Sequence, residues 1–116
     1  MDINEKISKL TGLWYSCLIS FRKDRDCHFT ITKTWSYDGK MKYDVDHYGY
    51  VADEFHEQFN HEQAAYEFLA NKIDENIRKL CSSEIQHNQE IPEFSDAPTD
   101  HWQKILDELN KIADNT

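Results

Sequence analysis

The chain has 116 residues, a formal net charge of −9 and a sequence pI near 5.0. That length supports one domain with a single core and no disulfide staples, and 39% hydrophobic with 13% aromatic residues argues against disorder. No apolar run approaches the ~20 residues of a membrane span, and the acidic balance argues against binding nucleic acid by phosphate neutralisation.

Residues 2–10 predict a short helix with Ile3, Ile7 and Leu10 on one face, interrupted at Thr11-Gly12. Leu13 to Phe21 fits both a helical stripe and an alternating strand. The strand is favoured, because three strands with an apolar face can stand where a lone hairpin is marginal. Cys27 to Tyr37 is the clearest strand, with Phe29, Ile31, Trp35 and Tyr37 on one face and His28, Thr30, Thr32, Thr34 and Ser36 on the other. Lys33 falls on the apolar face, where its stem can lie along apolar surface while the ammonium reaches water. Trp35 is expected to be buried with Phe29 and Ile31, and Trp14 and Trp102 to anchor the core.

Asp38-Gly39 is a hairpin turn, since the turn wants positive φ and glycine tolerates it. The return strand runs from Lys40 to about Tyr48. Met41, Tyr43 and Val45 alternate with Lys42, Asp44 and Asp46, so the two aspartates should point together away from the core, about 7 Å apart. Residues 50–59 read as a further strand or a loop. Asn60, with Gln63 three residues on, is the expected N-cap of a helix from His61 to about Cys81. Ser82 to Pro98 holds both prolines and reads as a connection that Ile85, Ile91 and Phe94 could tack onto the core. Thr99 or Asp100 then caps a final helix striped by Trp102, Ile105, Leu106, Leu109 and Ile112. The fold class is α+β: one domain over residues 1–116, with a small antiparallel meander of three to four strands packed against two to three helices. The helices form a single layer on one face.

Charge is distributed unevenly. Residues 1–42 carry a net +3 and residues 43–116 a net −12. Tyr43 to Asn71 holds Asp44, Asp46, Asp53, Glu54, Glu57, Glu62 and Glu67 with no Lys or Arg, interleaved with aromatic residues. A field of one sign costs stability but steers a partner of the opposite sign, and tyrosine suits an interface centre. The stretch is expected to face a basic macromolecule, the alternative being a solvated surface with core aromatics between the acids. The candidate contacts are Asp44, Asp46, Tyr48, Tyr50, Asp53, Glu54 and Glu57.

Catalytic signatures are weak. Asp44, Asp46 and His47, followed by His56, Glu57 and His61, are the nearest set to a metal site, without ligand spacing. Three cysteines, an odd count without a C-x-x-C pair, indicate no disulfide framework. Cys17 and Cys81 on apolar faces read as buried thiols. No cofactor and no catalytic residue is expected. Free thiols, and acids where a basic leader region would stand, point to a cytoplasmic protein.

The run Phe29 to Thr32, then Tyr37-Asp38-Gly39-Lys40-Met41-Lys42-Tyr43-Asp44-Val45-Asp46-His47-Tyr48, resembles small bacterial immunity proteins. These guard cells against polymorphic or contact-dependent growth-inhibition toxins. The resemblance covers roughly residues 29–48 and implies a stoichiometric, non-catalytic inhibitor. Its partner would be a cognate toxin domain, often a basic nuclease, with no direct nucleic-acid or membrane contact and a monomer favoured. The rival readings are a generic interaction adaptor and a small metal-dependent enzyme using Asp44, Asp46 and nearby histidines.

Overall fold

A computed structural model describes residues 1–18, 28–48, 54–94 and 97–114. The elements are α1 (Ile3–Leu18), β1 (His28–Trp35), β2 (Met41–Tyr48), β3 (Phe55–Phe59), α2 (Glu62–Glu90), a 3-10 turn (Pro92–Phe94) and α3 (Thr99–Asp114). The strands form an antiparallel meander in the order β1-β2-β3, and with the helices this is the expected α+β arrangement. No helix among the described residues is long and apolar enough to cross a membrane.

The strand favoured over residues 13–21 is not what forms. Residues 13–18 complete α1, which runs without a break through Thr11-Gly12. The helical stripe decides it: Leu10, Trp14, Cys17 and Leu18 recur at helical spacing and are all buried. Packing of that stripe outweighs the roughly 1 kcal/mol that a glycine costs inside a helix. Residues 19–21 lie outside the described residues, as do Cys27, Tyr50 and Asp53.

The hairpin forms as expected. Ser36 and Lys40 are joined by a backbone bond of 2.9 Å, and Gly39 sits at φ 78°. The register pairs Ile31 with Val45 and Phe29 with His47, and β3 then pairs Phe55 with His47 and Glu57 with Val45. Directly opposed residues share a face. One face of the sheet therefore carries Phe29, Ile31, Tyr43, Val45, His47, Phe55 and Phe59, which pack on the helices. His47, on the face away from Asp44 and Asp46, is fully buried, with its ring 4.4 Å from that of Phe29 and edge-on to Trp14.

α2 begins one residue later than expected, with His61 at the N-cap position and no side-chain cap. Asn60 instead accepts a hydrogen bond from the Lys42 ammonium, and Gln63 donates to Glu67. The helix does not stop near Cys81 but continues to Glu90. Residues 82–90 contain neither proline nor glycine, and Ile85, four residues past Cys81, prolongs the packed stripe. Pro92 is where continuation ends. Ile91, expected to tack this segment to the core, is 38% exposed.

α1, α2 and α3 pack on one another around Leu10, Cys17, Ile73, Ile77, Trp102 and Leu109. Cys17 and Cys81 meet in this core, and their mutual hydrogen bond and burial push the Cys17 thiol well above its ordinary range. The first half of α2 lies against the inner face of the sheet, and α1 reaches that face through Trp14.

Candidate functional site

The alternation that buries Val45 and His47 sends Asp44 and Asp46 to the opposite, outer face of β2. No described element covers that face. On β1 it is lined by Thr30, opposite Asp46, and Thr32, opposite Asp44. On β3 it is lined by His56, opposite Asp46, and Gln58, opposite Asp44. The central strand thus holds two carboxylates between a threonine row and an amide–imidazole row.

Those neighbours fix the carboxylates. The Gln58 amide donates to Asp44 Oδ1 over 3.1 Å. His56 Nδ1 bonds Asp46 Oδ1, and its Nε2 lies 3.5 Å from Asp44 Oδ1. The aspartate side chains are only 17% and 14% exposed, whereas His56 is 62% exposed. The hydrogen bond to Asp46 raises the His56 pKa above its ordinary value, aided by the charges of Asp46, Asp44 and Glu57 and opposed by desolvation. A protonated His56 would offset one of the two negative charges.

Placing all seven acids on one surface is not supported. Asp44 and Asp46 share the outer face. Glu57 pairs in register with buried Val45, which puts it on the opposite side of β3, at an exposed edge. Glu54 is exposed just before β3. Glu62 opens α2, 3.7 Å from the Lys33 ammonium and 3.5 Å from the Tyr43 hydroxyl. Glu67 lies further along α2 and accepts from Gln63. Tyr48 is the last residue of β2 and pairs with His28 of β1.

The set nearest to a metal site in the sequence also separates. His47 and Glu57 stand on the inner face of the sheet, away from Asp44 and Asp46, and His61 lies at the start of α2. Among the described residues no group of three or more His, Cys, Asp or Glu is arranged to hold a metal ion.

Gln58 is the site residue that sequence reasoning missed, and His56, weighed there only among possible metal ligands, is a hydrogen-bond partner of the carboxylates. The signal was the spacing Phe55-x-x-x-Phe59, which on a strand puts residues 56 and 58 on the face opposite the two phenylalanines. Sequence alone leaves residues 50–59 open between strand and loop, so that spacing does not by itself place them. Comparison of the chain with protein-family models, with curated proteins and with solved structures finds no match.

Proposed function

We propose that the chain is a non-catalytic immunity protein that neutralises a cognate toxin domain of basic character by binding it at the outer face of the sheet. The observation that carries this reading is the pair Asp44–Asp46. Both stand on a central strand, on a face that no described element covers, held in place by Gln58 and His56. Fixed carboxylates lose little side-chain freedom on binding, and they suit a guanidinium or ammonium from the partner. The net charge of −9 adds a long-range attraction for a cationic protein, which raises the association rate and sets specificity more than raw affinity.

The face is small. Three strands span roughly 14 Å and the five residues of β3 roughly 17 Å, about 240 Å². A standard interface takes about 800 Å² from each partner. The contact must therefore spread beyond the sheet, and Glu54 with Tyr48, Tyr50 and Asp53 are the proposed extension. Glu57, on the other side of β3, is at most a peripheral contributor.

Growth protection tests the reading. Any toxin domain found encoded beside this gene would be expressed with the chain or its variants in one cell. Wild type should restore growth, Asp44→Lys/Asp46→Lys should fail, and Glu67→Lys on α2 should protect. Full protection by the double lysine variant would remove the outer face from the account.

A further inference from the structure

The outer face already holds a cation of its own. His56 stands on β3, at the edge of the sheet, and turns both ring nitrogens toward β2. Its Nδ1 bonds Asp46 Oδ1, and its Nε2 lies 3.5 Å from Asp44 Oδ1. An ionised carboxylate only accepts hydrogen bonds, and an imidazole offers two N–H donors only when it is protonated. A neutral His56 would set a nitrogen lone pair against one of the two oxygens. The bridging position is therefore that of an imidazolium. The pKa of His56, raised first by its bond to Asp46, moves in the same direction.

The surroundings leave His56 to these two partners. Thr30, Thr32 and Gln58, the other residues on these rungs, are neutral. Lys42, further along β2, is engaged by Asn60, and Glu57 stands on the other side of β3. The helices pack on the inner face. The ring is mostly exposed while both aspartates are largely shielded, so His56 can swing out without disturbing the core. Gln58 would still hold Asp44 after the ring had left.

We infer that His56 is a proton-gated placeholder on the Asp44–Asp46 pair: as imidazolium it fills the position that a cationic side chain of a partner protein takes, and docking of that side chain displaces the ring and releases one proton. The inference rests on the reading of the outer face as the docking surface, and adds that acid closes this surface and base opens it. With one proton released per docking event, affinity rises by up to about tenfold per pH unit below the His56 midpoint and levels off above it. By the same linkage, docking lowers that midpoint.

The test measures binding of a rhodamine-labelled oligo-arginine peptide to the full chain by anisotropy, between about pH 5.5 and 8.5. NMR follows the His56 midpoint with and without saturating peptide. Wild type should gain at least about tenfold in affinity across that range, and the peptide should lower the His56 midpoint. His56→Gln should bind without the gain, and His56→Arg, a cation that does not deprotonate, should bind weakly throughout. Trp35, expected to be buried, is 69% exposed at the hairpin tip, where β1 and β2 run on past the end of β3. It lies on the face opposite Asp44 and Asp46, so Trp35→Ser is a control that should bind as wild type does. Urea midpoints near that of wild type establish that the variants fold. A gain that survives in His56→Gln would overturn the inference, as would a wild-type affinity flat with pH or an unmoved His56 midpoint. Equal binding by Asp44→Asn/Asp46→Asn, or weakening by Trp35→Ser instead, would overturn the outer-face reading itself and the inference with it.

Discussion

Replacing Ser83 with proline asks whether α2 continues beyond Cys81. Ser83 is exposed and lies inside the helix, eight residues after Glu75 and seven before its end at Glu90. Proline there removes the amide that bonds to the carbonyl of Lys79 and sets its ring against that same carbonyl, at a cost of about 3 kcal/mol or more. The break would also disturb Asn88, whose amide holds the Ala97 carbonyl at 2.8 Å and so ties the end of α2 to the start of α3. Ser83→Ala is the control, since alanine keeps the amide and slightly favours the helix. With a urea m-value of about 1.5 kcal/mol/M, the proline variant should unfold about 2 M earlier than the alanine variant. Circular dichroism at 222 nm during urea titration measures the difference. Coincident midpoints for Ser83→Pro and Ser83→Ala would refute a continuous α2 and restore a loop at residues 82–90.

Three further outcomes are expected. Gly12→Ala should stabilise the protein by about 1 kcal/mol, because a Cβ there meets nothing within 4 Å; an unchanged or lower melting temperature would contradict an α1 that runs through residue 12. His47→Ala should cost about 3 kcal/mol in urea unfolding, as for a buried ring, since His47 is fully enclosed by Trp14, Phe29 and Phe55, whereas Trp35→Ser should change stability by under about 0.5 kcal/mol. The His56 imidazole, followed by NMR, should titrate above its ordinary value of 6.5, and Asp46→Asn should bring it down. Its contribution to stability is fully present below the unfolded value and fades as pH rises through the raised folded one. A wild-type midpoint at or below 6.5 would contradict the His56–Asp46 contact.

What could be read from the sequence was the local part of the fold. Asp38-Gly39 with alternation on either side fixes the hairpin, and the same alternation places Asp44 and Asp46 together on the outer face. Leu13 to Phe21 fitted two periods, and only the packing of Leu10, Trp14 and Cys17 against α2 selects the helix. Trp35 was assigned to the correct strand face, but burial also needs something opposite, and the point where β3 and α2 stop is tertiary information. Residues 82–90 look like a connection by polarity alone, yet a long helix with one packed stripe can be polar elsewhere. The acidic stretch was legible as a charge and not as a surface, because the register of β3 and the turn into α2 send its carboxylates in different directions.

Titration calorimetry of the chain with the basic toxin domain proposed as its partner, at low and at physiological salt, tests the central claim most directly. Wild type should bind one to one and more weakly as salt rises, and Asp44→Asn/Asp46→Asn should lose about 2 kcal/mol or more, roughly thirtyfold in Kd. An affinity that is unaltered by that double substitution and insensitive to salt would contradict a carboxylate-centred binding face.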